Sequence, residues 1–262
     1  MEKVSIIIPA YNEEKRIART LEAYGNFFAN LKKIGKLESE ILIVINNTKD
    51  RTEEIVKKFQ KKYKIIMYLN FKQGGKGFAI TEGFKEALKD DKNSIIGFVD
   101  ADMATSPEAF YDLVKNINGF DGILASRYIK GSIVKPKQPF SRIFASRVFN
   151  TIVRCLFMFP YSDTQCGAKI FRRQALQKIL PLLGVTEWAF DVDLLYNLHK
   201  NGFRIKEYPT IWSDVSGSKI NLKKSSMQMF FAVVRLRLVN SPFAILAKPI
   251  KFLVRPVWRM VK

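Results

Sequence analysis

Apolar positions in this chain come in short blocks separated by amphipathic stretches, not as one regular alternation. Val4-Ser5-Ile6-Ile7-Ile8-Pro9 is a nearly continuous apolar run stopped by proline, which is how a strand buried on both faces reads. A helical pattern follows from about Glu13. Residues 41–45 form a second β-branched run, and 50–63 carry Ile55, Val56 and Phe59 on one side of a helix. A third strand over 65–69 precedes Gly74-Gly75-Lys76-Gly77, which opens a helix through Leu88, and a fourth strand over 95–99 ends at Asp100. This βαβαβαβ alternation predicts a mostly parallel sheet with helices on both faces. Further on, the pattern predicts a strand over 122–127, a Pro- and Lys-containing loop over 131–139 long enough to act as a lid, and an aromatic, Arg-rich helix over 140–157. A turn into a strand over 163–171, a helix over 188–200 and an edge strand over 203–208 complete the set. Without an internal repeat or low-complexity linker, the simplest division is one α/β domain over 1–222 and a tail over 223–262.

In sheets of this kind ligands bind beyond the carboxyl ends of the strands. Residues 9–13, 46–50, 74–77 and 100–102 all fall there, and that shared position says more than any one motif.

Charge narrows the partner. The 262 residues hold 44 Lys and Arg against 24 Asp and Glu, a net charge of +20, which calls for an anionic partner: nucleic acid, anionic lipid or a phosphorylated small molecule. From Val215 to the last residue there are ten basic residues and no acidic one, interleaved with apolar side chains such as Met227, Phe230, Phe231, Phe252 and Trp258. Lys248, Lys251, Arg255, Arg259 and Lys262 recur at helical spacing, although Pro256 would kink such a helix. That composition fits an element lying in a lipid interface better than a nucleic-acid arm, so no nucleic-acid partner is expected. The uncharged runs of the tail, such as 225–234, are shorter than the roughly 20 residues that span a bilayer, and no signal-peptide pattern opens the chain. The expectation is a peripheral protein on the cytoplasmic face of a membrane, with Cys155 and Cys166 as unpaired thiols in a reducing compartment.

Asp100-Ala101-Asp102 follows an apolar strand. Two carboxylates held at a strand end can grip a hard divalent cation, Mg2+ or Mn2+, that bridges to a diphosphate. The competing reading, a helix cap near Pro107, is better served by Thr105 or Ser106. The Gly74-Gly75-Lys76-Gly77 turn is either a plain glycine turn or a phosphate and ribose contact through backbone amides and the Lys76 ammonium; it is no P-loop, because no Ser or Thr follows the Lys. Arg142 and Ser146, four residues apart, share a helix face and can address one anion. His199 is the single histidine and reads as a surface residue beside Lys200, which excludes a His-based triad or zinc site.

Ile6-Ile7-Ile8-Pro9-Ala10-Tyr11-Asn12-Glu13-Glu14, Asp100-Ala101-Asp102 and Asp163-Thr164-Gln165-Cys166-Gly167, in this order, resemble family 2 glycosyltransferases of the GT-A fold over about 4–220. Within that family the resemblance is to enzymes that load a hexose onto dolichyl phosphate, and Glu187-Trp188-Ala189-Phe190-Asp191 looks more like the glucosyl than the mannosyl branch. The resemblance implies a nucleotide pocket of Pro9, Ala10, Tyr11, Glu13, Asn46, Lys76, Asp100 and Ala101, and a metal held by Asp100 and Asp102. It implies an acceptor-phosphate site of Arg127, Arg142, Ser146 and Lys219, and donor-sugar contacts from Gln165, Trp188 and Asp191. Asp102, Asp191 and Arg127 are the implied catalytic residues.

Asn46-Asn47-Thr48 departs from the family, which has acidic residues followed by Gly-Ser, so base identity stays open between UDP-glucose, the first reading, and GDP-mannose. A lipid phosphate, with a second pKa of about 6, attacks without a strong base. The rival readings are a family 2 transferase acting on a sugar hydroxyl, which needs a carboxylate base other than Asp191, and a basic nucleic-acid- or lipid-binding module. Acidic residues at the strand ends argue against the module.

Overall fold

The computed structural model describes residues 2–136, 140–184, 189–213 and 222–241. Strands β1 (Lys3–Ala10), β2 (Glu38–Asn46), β3 (Ile66–Phe71) and β4 (Asn93–Val99) alternate with helices α1 (Ile17–Lys33), α2 (Thr52–Lys62) and α3 (Lys76–Ala87). Then come α4 (Pro107–Lys115), β5 (Gly122–Ser126), β6 (Ile133–Lys135), α5 (Phe140–Phe157), β7 (Ala168–Arg172) and α6 (Arg173–Ile179). A 3-10 turn over Leu180–Leu182, α7 (Phe190–Lys200), β8 (Ile205–Pro209), β9 (Ile211–Ser213) and α8 (Leu222–Val239) follow. Seven strands form one sheet in the order β3-β2-β1-β4-β7-β5-β8; every pairing is parallel except those of β7, which runs antiparallel to both neighbours. The expected mostly parallel sheet between helices is therefore observed, with β8 as the expected edge.

The apolar blocks are continuous because each central strand feeds two cores. Ile6, Ile8, Ile41, Ile43, Ile45 and Ile95 face one layer, closed by Leu21, Tyr24 and Phe28 of α1 and Phe110 and Leu113 of α4. Ile7, Leu42, Val44, Ile96 and Phe98 face the other, closed by Ile80 and Phe84 of α3, Leu176 of α6 and Leu194 and Leu195 of α7. Neighbouring residues of one strand thus point to opposite layers, as the period of two requires.

Three details differ from the sequence reading. Helix α1 starts at Ile17, not near Glu13, because residues 13–16 form a turn: Arg16 N and Ile17 N both donate to Glu13 O at 2.9 and 2.8 Å. That turn is pinned to the start of α2, where Thr52 Oγ1 accepts from Glu13 N at 2.8 Å and Asp50 Oδ2 from Glu14 N at 3.1 Å. The loop expected over 131–139 contains β6, which pairs in parallel with β9 to form a small second sheet. Helix α8, inside the segment set apart as a tail, packs on α5 and buries Val233 and Leu236 in the second core layer. Trp188, Lys219 and the basic positions from Lys248 onward lie outside the described residues. Among the described residues no helix is long and apolar enough to cross a membrane.

Candidate active site

The carboxyl ends of β1, β2 and β4 converge, and the residues that follow each strand build one cleft. After β1, Asn12 takes a left-handed φ of 51°, a region asparagine tolerates better than most residues, and its Oδ1 accepts from Lys49 N at 2.9 Å. This sharp corner leaves the Tyr11 ring 54% exposed at the cleft, while Pro9 is half-buried and Ala10 fully buried. A flat aromatic so placed can stack on a nucleobase.

Asn46 is held by the protein itself. It is 2% exposed, and its amide, oriented to satisfy both groups, donates to Ala10 O and accepts from Gly75 N, each at 3.0 Å. It braces the end of β1 against the glycine turn. Gly75 needs no side chain there because its φ is 116°. The turn delivers Lys76 to the first position of α3, where its ammonium pairs with Asp100 Oδ1. Burial pulls the Lys76 ammonium down, yet Asp100 and then Asp191 outweigh it and hold it above its ordinary value.

Asp100 and Asp102 follow β4. The Ala101 between them is buried, its carbonyl accepting from Thr20 Oγ1 at 2.6 Å, so the triplet is anchored through its backbone with the carboxylates left on the cleft side. Asp102 Oδ1 accepts from Ala104 N at 3.0 Å around a left-handed Met103. Ser106 caps α4 by accepting from Ala109 N at 3.2 Å, so the helix start does not need either aspartate. Burial, and after it the neighbouring Asp100, raises the Asp102 carboxyl above the usual range. Glu13 is raised by burial as well, against a bidentate ion pair with Arg16 at 2.8 and 2.7 Å, and both aspartates add to the rise. Two neighbouring carboxylates present hard oxygen donors for a divalent cation. Among the described residues no group of three or more His, Cys, Asp or Glu side chains is gathered to enclose a metal, so an ion held here would take only these two protein carboxylates.

On the far side of Asp100 stands β7. A Cβ at Gly167 would overlap Asp100 Oδ2, so only glycine lets the two segments meet, and Asp100 N donates to Gly167 O at 3.1 Å. Two residues on, Lys169 is fully buried, donating to Cys166 O at 2.8 Å and to Asp191 Oδ1, at the start of α7, at 2.5 Å. Both Lys76 and Lys169 lie over the Phe98 ring, at 5.9 and 5.2 Å from its centroid. Sequence reasoning missed Lys169; a charged residue inside the otherwise apolar run Ala168-Lys169-Ile170-Phe171 was the available signal. Gln165 is half-buried next to Thr164, which Asn150 of α5 holds through two hydrogen bonds at 2.9 and 2.8 Å.

A second polar cluster sits past β5. Arg127 donates to Asp163 from its backbone N at 3.0 Å, from Nε at 2.7 Å and from Nη2 at 2.9 Å. Its guanidinium packs on Tyr128 and Trp212, with centroids 5.0 and 5.2 Å away. Burial opposes the charge, but Asp163 more than offsets it and holds Arg127 above its ordinary range. Tyr128 OH bonds to Ser146 Oγ at 2.7 Å, and Arg147 lies over the same ring at 4.3 Å. Arg127 and Ser146 each contact Tyr128, and Arg142 shares the helix of Ser146; Tyr128, Arg147, Asp163 and Trp212 are neighbours that the sequence did not point to. Trp212 also pairs with Thr105 just after the aspartates, which joins the two clusters.

A mostly parallel seven-stranded sheet between helices, with β7 antiparallel inside it, matches the GT-A fold of glycosyltransferases. The family model described as glycosyl transferase family 2 matches residues 5–180, and the chain belongs to that family. Among curated relatives, a dolichyl-phosphate beta-glucosyltransferase of Dictyostelium discoideum is 33% identical over 89% of this chain and 73% of its own length. The human protein of the same name is 30% identical over 90% of this chain and 75% of its own. Among solved structures, glucosyl-3-phosphoglycerate synthase from Mycobacterium tuberculosis, in complex with Mn2+, UDP and phosphoglyceric acid, superposes with a TM-score of 0.66 at 14% identity, covering 90% of this chain and 78% of that one. At that identity the likeness is one of fold.

Proposed function

We propose that this glycosyltransferase moves glucose from UDP-glucose to a polyprenyl phosphate of the dolichyl type, with inversion, giving a β-linked lipid phosphosugar at a membrane surface. One observation carries the reading: Asp100 and Asp102 with Lys76 form one polar cluster, Arg127 on Asp163 with Arg147 and Ser146 around Tyr128 form another, and the Thr105–Trp212 bridge joins the two. The first suits a metal-bound diphosphate and the second a phosphate acceptor. The names of the relatives support the acceptor and the sugar.

The chemistry follows from this arrangement. Tyr11 stacks on the base, while Glu13, kept in place by Arg16, faces the ribose. Asp102 and Asp100 would hold Mg2+ or Mn2+, which when bound supplies positive charge to the departing diphosphate. Asp191, fixed by Lys169, and Gln165 orient the hexose. Arg127 and Ser146 hold the acceptor phosphate opposite the diphosphate, so that its oxygen attacks the anomeric carbon as the sugar–diphosphate bond breaks. An ionised phosphate oxygen needs no general base.

The lipid side has structural support too. Phe140, Phe144 and Val148 recur every four residues along α5 and stand exposed, and Phe231 and Met227 of α8, which packs on α5, are exposed as well. Arg142, Arg147 and Arg154 accompany them on α5. Apolar rings among cations suit the head-group region of an anionic membrane, next to the phosphate cluster.

The test is incubation with radiolabelled UDP-glucose or GDP-mannose and dolichyl phosphate, followed by organic extraction. Label should enter the organic phase from UDP-glucose, only with a divalent ion, and be lost in Asp102→Ala. Extraction of label from GDP-mannose instead, or transfer to free sugars without the lipid, would reject the substrate assignment.

A further inference from the structure

Both carboxylate oxygens of Asp100 have neighbours, although the side chain is 35% exposed. Oδ1 holds the Lys76 ammonium, and Oδ2 lies against Gly167, which is kept there by the Asp100 N to Gly167 O hydrogen bond of 3.1 Å. A divalent cation that uses Asp100 therefore meets a lysine on its approachable oxygen. Lys76 begins α3, its side chain is 43% exposed, and its backbone is fixed independently by the Gly75 turn and the Asn46 brace, so exchanging Asp100 for another anion requires only side-chain rotation. The nearby Asp191 has its own counter-charge in the buried Lys169, at 2.5 Å, so it does not depend on Lys76.

We propose that Lys76 and the divalent cation compete for Asp100, so that the protein takes the metal weakly alone and strongly only together with a diphosphate. This rests on the metal–diphosphate reading of the site given above. The charges show why. Asp100, Asp102 and Asp191 against Lys76 and Lys169 leave a single net negative charge, which a lone divalent ion overturns while pressing against an ammonium beside the same carboxylate. A diphosphate removes the conflict by offering Lys76 phosphate oxygens, so the ion takes Asp100 as the lysine moves to the ligand. Metal and nucleotide then strengthen each other's binding by the same factor. The lysine acts as an internal cation that keeps the aspartates from gathering metal before the donor arrives.

The prediction runs against the usual loss on mutating a binding-site residue. Mn2+ binding is measured by electron paramagnetic resonance of free ion and by calorimetry, for wild type, Lys76→Met and Lys76→Arg, alone and with UDP or, in a parallel arm, GDP. Thermal melts check that each variant is folded. Lys76→Met should bind Mn2+ alone at least about ten-fold more tightly than wild type, and the tightening conferred by the nucleotide should shrink. Lys76→Arg, which keeps a cation at the position, should stay near wild type for the bare ion. Equal or weaker Mn2+ binding by folded Lys76→Met overturns the competition even if wild type binds Mn2+ with nucleotide. Failure of wild type to bind Mn2+ with either nucleotide removes the metal–diphosphate reading itself, and the competition with it.

Discussion

Replacing Asp163 by Asn tests what holds the acceptor side of the cleft together. Asp163 is fully buried and accepts from three donors of Arg127, while its own N–H donates to Glu207 Oε1 at 2.8 Å. Asn has the same shape, but its NH2 must face either Nη2 or the pair N and Nε, all of them donors, and the charge is gone. With Arg127 only 11% exposed, water offers little compensation. Removing one partner of a buried pair costs about 3–5 kcal/mol, and the amide oxygen keeps part of the contact, so we expect about 2–4 kcal/mol of lost stability. For a chain of this size that is a fall in Tm of roughly 5–15 °C. Thermal and urea unfolding would measure it, and a double-mutant cycle with Arg127→Met would assign it. Arg127→Met should cost at least about 1.5 kcal/mol less in the Asp163→Asn background than in wild type. Strict additivity would refute the claim that the pair acts as a unit. In turnover, Asp163→Asn should raise KM for dolichyl phosphate more than KM for the nucleotide sugar. An equal rise in both would detach Arg127 from acceptor binding.

Two further outcomes are expected. Burial pushes the Cys166 thiol from its ordinary 9 up to about 12, and burial likewise raises Tyr161 from 10 to about 12 and Tyr24 well above 10. Because the unfolded chain ionises these groups first, stability is intact below about pH 9 and falls as pH rises through the interval to about 12. Urea midpoints should therefore decline on going from about pH 8 to about 10.5, and a flat profile would contradict the burial of these groups. On the lipid side, joint Phe140→Asp and Phe144→Asp should lower binding to anionic liposomes at least ten-fold, since burying each ring is worth about 1.5–3 kcal/mol. Both rings are exposed in the folded chain, so Tm should stay the same; undiminished liposome binding would exclude α5 from the membrane contact.

Much of the architecture was legible in the chain itself. The order of strands and helices, the strand ends where ligands gather and the Asp100-Ala101-Asp102 triplet are local properties: runs buried on two faces are apolar throughout, and glycine, proline and capping residues mark where they stop. The Ser106 cap and the bounds of α5 came out as the pattern predicted. What the tertiary structure alone decided is which of these pieces become neighbours. The insertion of β7, antiparallel, between β4 and β5 sets Gly167 against Asp100 and slides Lys169 under the Phe98 ring to meet Asp191 of a different element. Asn46 is a buried brace because the glycine turn folds back onto it. Arg127 found its carboxylate 36 residues away. Periodicity records what a residue's own strand or helix needs from its surroundings within a few positions. A charge in a buried strand can be satisfied by any element that the sheet order brings beside it, and that order is set by the packing of the whole domain.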